Sequence, residues 1–408
     1  MKKSILLTLL CVFVLTGWAQ IPLNRLGVVE DVAGTPEKKG YFGDGGDAWK
    51  AVLNNPAGLA MDRFHNIYIA DTMNHRIRRI DARSGYIETV VGTGKKGFFN
   101  DGGHANLAGL RGPSALTFDR FGNLIIADTG NQRVRLVTLQ GYIYTIAGNG
   151  RRGYNGEGSK ATSSTLNNPA GVAISPQDEI YIADTSNNRI RRIDRRTGKL
   201  DTVVGTGEEG DDGDFGPAVR ARLNKPTTIL FDKHGNLFIA DTRNHKIRVV
   251  DHRTFKIYTI AGDGRERYKG DNSSRSPDAS FNDPTGMAID RFGRIYVADT
   301  DNHRIRRITI DLARHTSFVE TVVGNGKRDY NGTELSSWDT SIAYPGALLI
   351  TPMDTLYFLD VGNNLLRRVL GISLVRPPTT YTAFGQPEQP TDTDSFYDVL
   401  FQPEEAGV

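Results

Sequence analysis

The sequence predicts an all-β fold, a six-bladed propeller of four-stranded antiparallel blades, and three observations predict it. A motif returns six times at an even interval. Each interval divides into four short apolar runs separated by turn residues. Glycine supplies 45 of 408 residues and aromatics 9%, as expected for many tight turns between short strands. The hydrophobic fraction of 38% is enough for a sizeable core, and the composition does not point to overall disorder.

The motif decides the architecture. Ile69-Ala70-Asp71-Thr72-Met73-Asn74-His75-Arg76-Ile77-Arg78 returns as Ile126-Ala127-Asp128-Thr129-Gly130-Asn131-Gln132-Arg133-Val134-Arg135, and again around Asp184, Asp241 and Asp299. A decayed copy reads Leu359-Asp360-Val361-Gly362-Asn363-Asn364. Successive aspartates lie 57, 56, 57, 58 and 61 residues apart, too even a spacing for chance.

Each period is expected to hold strands a to d, counted outward from a central channel. Strand a is the apolar run after a proline (Pro56 to Met61), and a polar turn, Asp62 to Asn66, follows it. Strand b ends in the aspartate (Ile67 to Ala70), strand c is Arg76 to Ile80, and strand d is Ile87 to Gly92. Joined by short turns, these four form the antiparallel meander of a propeller blade. Six a-b-c sets occur, but only five d strands follow one, at Val90, Ile143, Val203, Ile257 and Val322. The sixth stands at the other end, where Val28 to Gly34 matches Thr145 to Gly148. This N-terminal strand should complete the last blade beside Leu365 to Leu370 and remove an exposed edge.

The Asp-Thr-x-Asn-His-Arg-Ile motif, with its preceding Tyr-Ile-Ala strand, resembles the NHL repeat, a six-bladed β-propeller family. The Gly-rich connections (Gly43-Asp44-Gly45-Gly46, Asn100-Asp101-Gly102-Gly103) are similar to those of teneurin-like and bacterial secreted NHL proteins. The resemblance covers about residues 28 to 370. It implies the fold and says little of function, since such propellers serve as sensors, scaffolds, RNA readers and enzymes.

The ends read differently. Lys2 and Lys3, the apolar run Ile5 to Leu15 and the small residues of Thr16-Gly17-Trp18-Ala19 predict a signal peptide over residues 1–19, hence an exported, periplasmic or extracellular protein. The apolar run is shorter than the roughly 18 residues of a membrane span, so stable membrane insertion is not expected after cleavage. The sole cysteine, Cys11, falls inside that segment, so the mature chain is expected to fold without disulfides. Loss of Lys2 and Lys3 leaves a formal charge of +1, which gives no global field for nucleic acid. Residues 20–370 are assigned to the propeller. Residues 371–408, rich in Pro, Thr and acids, are assigned to a partly disordered tail.

Candidate chemistry is sparse. The aspartates Asp71, Asp128, Asp184, Asp241, Asp299 and Asp360 sit one blade apart and cannot converge on one substrate atom. They are expected to be structural, accepting N–H bonds in the b–c loop or meeting the following arginine. His75, His245 and His303 share a motif position with Gln132, Asn188 and Asn364, so neither a metal nor another cofactor is expected there. The axis should be lined by Ala57-Gly58, Ser114-Ala115, Ala170-Gly171, Thr227-Thr228, Thr285-Gly286 and Gly346-Ala347. All are small and none titrates near neutrality, so no catalytic residue is assigned.

The d–a connections carry the variation. Each runs about twenty residues, longer than a hairpin requires. Five pair basic residues with an aromatic: Lys38, Lys39 and Tyr41; Lys95, Lys96 and Phe98; Arg151, Arg152 and Tyr154; Arg265, Arg267 and Tyr268; Lys327, Arg328 and Tyr330. The fourth has Glu208, Glu209 and Asp211 instead. Following acids (Asp44, Asp101, Glu157, Asp271) are expected to neutralise the pairs locally. These fifteen residues form the candidate ligand-binding face, suited to an anionic or sugar-containing partner. The expectation is a monomeric, non-enzymatic binding or scaffold module for a protein, peptide or glycan. The alternative is a propeller-type lyase or hydrolase with a loop-borne active site.

Overall fold

The computed structural model describes residues 25–271, 279–311 and 316–375. The signal-like residues 1–19 and residues 376–408 lie outside the described residues. Six antiparallel sheets each run a-b-c-d in spatial order. Blade 1 shows the pattern with Gly58–Met61, Ile67–Asp71, Arg76–Ile80 and Tyr86–Val91. In blades 1, 3 and 6 the incoming d–a loop adds a two-residue fifth strand outside strand d: Gly46–Asp47, Ser159–Lys160 and Leu335–Ser336.

The ring closes as the repeat register predicts. Val28–Ala33 pairs antiparallel with Leu365–Leu370, placing Val29 opposite Val369 and Asp31 opposite Arg367. A register shift between Asp31 and Ala33 repeats the one between Thr145 and Ala147 in blade 2. The N-terminal segment is therefore a strand d in every geometric respect, displaced to the front of the chain.

The core lies between blades. Ile67, Ile69 and Ile80 of blade 1 pack with Leu359 and Leu366 of blade 6, and the other interfaces repeat this arrangement. Strand b is covered from both sides, so in blades 2, 4 and 5 all its residues are buried. The spacing Ala48, Ala51, Leu53 forms a 3₁₀ turn, Ala48–Lys50, that seats all three side chains in the blade interface.

Near the axis the inner strands almost touch. A Cβ at Gly58 would lie 2.7 Å from the Ser114 carbonyl oxygen, one at Gly171 2.1 Å from that of Thr227, and one at Gly286 2.0 Å from that of Gly346. Glycine in alternate blades is thus a packing requirement.

The tail begins later than expected. Gly371, at φ 65°, turns the chain out of strand c, and Ile372–Leu374 forms a 3₁₀ turn. Ile372 and Val375 are buried in the interface of blades 5 and 6. Their apolar side chains bind this stretch to the propeller, so the body extends to residue 375.

Candidate binding face

The repeat motif is a set of fasteners, one function per residue. The aspartate accepts a backbone N–H from the end of its own blade's d–a loop: Asn54 for Asp71, Arg111 for Asp128, Asn167 for Asp184, and so on to Ala343 for Asp360. These donors are in the d–a loop, not the b–c loop expected from sequence. The b–c loop turns away through a 3₁₀ helix and leaves only its asparagine facing the carboxylate. That asparagine also donates to a d–a loop carbonyl, as Asn74 does to Gly40 at 2.6 Å and Asn187 to Gly153 at 2.8 Å. The b–c and d–a loops are thereby tied together on one face.

The remaining motif residues reach the next blade. Thr72, Thr129, Thr185, Thr242 and Thr300 each donate a hydroxyl to the carbonyl of the proline opening the following strand a. Val361 interrupts this series in blade 6. The fifth position of the Asp-Thr-x-Asn-His motif, always left-handed at φ 52–57°, accepts a backbone N–H from the following blade. His75 accepts from Gly112, Gln132 from Asn168, Asn188 from Lys225, His245 from Asp283, His303 from Tyr344 and Asn364 from Asn55. An acceptor is the shared requirement, and neutral imidazole, Gln and Asn all meet it. Burial lowers the pKa of His75 and His245 and takes His303 down to about 4, which keeps the acceptor nitrogen unprotonated.

Behind the loops stand six fully buried arginines: Arg78, Arg135, Arg191, Arg248, Arg306 and Arg367. Each pairs with its blade's motif aspartate, at 3.6, 3.1, 3.3, 3.5, 3.2 and 3.1 Å. Burial raises the aspartate carboxyls, to about 6 for Asp71, Asp184, Asp241 and Asp360.

A second acid completes each charge cluster. It is Asp44, Asp101, Glu157, Asp214 or Asp271 from the d–a loop in blades 1 to 5. These loop acids therefore balance the buried strand-c arginines. The exposed basic pairs, expected to be their partners, are not neutralised by them. In blades 1, 3 and 5 the loop acid is also bonded to its tyrosine: Tyr41 donates to Asp44 at 2.5 Å, Tyr154 to Glu157 and Tyr268 to Asp271.

Blade 6 exchanges the parts. Thr333 stands in its loop where the acid belongs and accepts from the Asp31 backbone. Asp31 stands where blade 1 has Thr89, opposite the buried arginine. Its carboxylate approaches Arg367 Nε at 2.8 Å and accepts from Tyr330 at 2.6 Å. The Nε–H is not aimed at that oxygen, so the arginine contact is coulombic rather than a formed hydrogen bond.

The loop aromatics lie against arginines of strand c. Arg76 stacks on Tyr41 at 3.7 Å, Arg133 on Phe98 at 3.7 Å, Arg189 on Tyr154 at 4.0 Å and Arg304 on Tyr268 at 3.9 Å. Arg367 lies 5.3 Å from Tyr330. One side of each ring is thus occupied, while Tyr41, Phe98 and Tyr154 keep about two fifths of their surface exposed.

The basic residues divide. Lys38, Lys39, Lys95, Lys96, Arg151, Arg152, Arg265, Lys327 and Arg328 are exposed. Arg267 is drawn inward to Asp263 at 2.8 Å, and Arg328 lies over Tyr344 at 4.5 Å. Lys38, Lys39, Lys95, Arg151, Arg152, Arg265 and Lys327 make no ion pair among the described residues. The acidic fourth loop is locally balanced: Glu208 pairs with Arg222 at 3.0 Å and Asp211 with Lys246 at 2.6 Å. The face therefore carries a broken ring of cations with a neutralised gap at blade 4.

The axial cavity, about 390 Å³, is lined by the twelve small residues expected there and by apolar side chains deeper in. Its described lining contains no titratable side chain.

This arrangement agrees with sequence-family matches. A model of the NHL repeat matches residues 166–193 and 281–308, and one of the teneurin NHL domain matches residues 27–97. The chain is an NHL-repeat β-propeller. This NHL propeller is 31% identical over 281 residues to Protein SUPPRESSOR OF QUENCHING 1, chloroplastic, of Arabidopsis thaliana, covering 66% of this chain and 26% of that protein. To human NHL repeat-containing protein 2 it is 29% identical over 293 residues, covering 64% and 40%. The chain thus spans less than half the length of these relatives. An auxiliary nutrient binding protein from Bacteroides thetaiotaomicron superposes at a TM-score of 0.60 with 16% identity, over 84% of this chain and 76% of that one, a likeness of fold.

Proposed function

We propose that this NHL propeller is an exported, non-enzymatic binding or scaffold module that takes an anionic protein, peptide or glycan on its b–c and d–a loop face. The observation that carries the reading is the broken ring of exposed cations beside half-exposed, arginine-backed rings. The rings supply stacking surface already held in place, and seven of the cations, Lys38, Lys39, Lys95, Arg151, Arg152, Arg265 and Lys327, make no ion pair among the described residues and so supply attraction to a ligand. Export rests on the signal-like character of residues 1–19.

The test is the variant with Lys95, Lys96, Arg151 and Arg152 all replaced by Ser, compared with the parent on arrays of sulfated glycans and acidic peptides. Exposed cations contribute roughly 0.2–1 kcal/mol each, so affinity should fall about tenfold with the fold intact. Binding by the parent should also weaken with salt, since charges at this exposure are screened over about 8 Å at physiological ionic strength. Equal binding by the variant, without salt dependence, rejects the assignment of this face.

A further inference from the structure

A second cavity, about 440 Å³, opens between blades 3 and 4 on the side of the a–b and c–d turns, away from the basic loops. Tyr181, Val203 and Val204 line it from blade 3, and Phe231, Leu237 and Val250 from blade 4. Val219, half exposed, and Phe255, 70% exposed, stand at its rim.

The repeat shows what such a groove holds. Between blades 5 and 6 the equivalent space is filled by the chain's own Ile372 and Val375. The linings correspond position by position. Tyr181 faces Arg192 across strands b and c as Tyr296 faces Arg307. Phe231, Leu237 and Val250 align with Ile350, Leu356 and Val369. In the filled groove Arg307 donates to the carbonyls of Ile372, at 3.2 Å, and Val375, at 2.9 Å. In the open one Arg192 lies 3.5 Å from Glu179, and its buried Nε has no hydrogen-bond partner among the described residues.

We infer that the groove between blades 3 and 4 docks a short, uncharged apolar peptide segment of another protein, with two aliphatic side chains three residues apart and backbone carbonyls accepting from Arg192. Glu179 and Arg192 already balance each other, so the groove selects for apolar shape and carbonyl position rather than charge. Within this chain the matching segment is already seated between blades 5 and 6. Residues 376–408 carry six carboxylates against Arg376, a poor match to a groove containing Glu179. The site is independent of the basic face, and each can fail without the other.

The probe is the blocked peptide acetyl-Gly-Ile-Ser-Leu-Val-amide, titrated into the full chain with methyl-labelled Val and Leu and followed by NMR. Shifts should be confined to Val203, Val204, Val219, Leu237 and Val250. Arg192→Gln should weaken binding at least fivefold, Val219→Glu should do the same from the rim, and a peptide with Asp for Ile and Val should not bind. Three results overturn the inference: no groove shifts at millimolar peptide, equal affinity in both variants, or tighter binding to a chain ending at residue 375. The last would give the groove to the chain's own C-terminal segment.

Discussion

The exchange of Thr and Asp in blade 6 permits a direct test of how the ring is closed. Asp31→Thr removes a carboxylate that is 17% exposed and lies 2.8 Å from the fully buried Arg367. Breaking a buried pair costs about 3–5 kcal/mol. Here Arg367 keeps Asp360 at 3.1 Å and the Gly332 carbonyl at 2.6 Å, so roughly half of that applies. Tyr330 also loses its acceptor, at about 1 kcal/mol. The expected loss is about 2.5–3.5 kcal/mol. Thr333→Asp alone places a second carboxylate beside Asp31 and should cost about 1 kcal/mol through like-charge repulsion. Combined, the two changes recreate the blade 1 arrangement of loop acid and strand threonine, and stability should return to within about 1 kcal/mol of the parent. The coupling from a double-mutant cycle in urea is then about 3–4 kcal/mol. Additive losses would refute the claim that the closing strand substitutes for the loop acid.

Other outcomes follow from the same geometry. His303 has its pKa lowered by burial to about 4, against roughly 6.5 in the unfolded chain, so the unfolded state takes up the proton first. Its contribution is complete above about pH 6.5 and lost as pH falls towards 4; His303→Asn should flatten that part of the stability profile, measured by urea midpoints at pH 4 to 7. Phe98→Ala removes the surface under Arg133 and Arg135 and should cost about 1 kcal/mol by thermal melting, with no change in secondary structure by circular dichroism. Gly171→Val drives side-chain atoms into the Thr227 carbonyl and should cost at least about 2 kcal/mol or prevent folding, whereas Ala170→Gly should be tolerated.

The fold was legible because the repeat states it six times, and the displaced strand d could be found by counting. The small axial residues were legible too, although their cause, carbonyls within about 2–3 Å of a would-be Cβ, depends on the distance between blades. What the loops do was less legible. Lys95-Lys96 followed by Phe98 reads as one local cluster, yet Phe98 belongs with Arg133 and Arg135, more than thirty residues away on strand c. A signal was present in blades 1, 2, 3 and 5: an aromatic and an acid three residues apart in the loop, then an Arg-x-Arg in strand c, as in Tyr41, Asp44, Arg76 and Arg78. The role of the His, Gln or Asn position was hidden because its partner is a backbone N–H, which leaves no mark on residue identity.

The closing strand has a consequence for how copies of this chain relate to one another. No covalent link holds Val28–Ala33 to Leu365–Leu370, and the Asp31–Arg367 contact is the same whether the two residues come from one molecule or from two. Nothing in the joint distinguishes self from neighbour, so fidelity rests on tethering. The strand's own chain presents it at an effective concentration on the order of millimolar, far above that of a competing copy in dilute solution. The ring is thus single-chain by proximity rather than by recognition, and that advantage narrows wherever the protein is concentrated while its outer strand is detached.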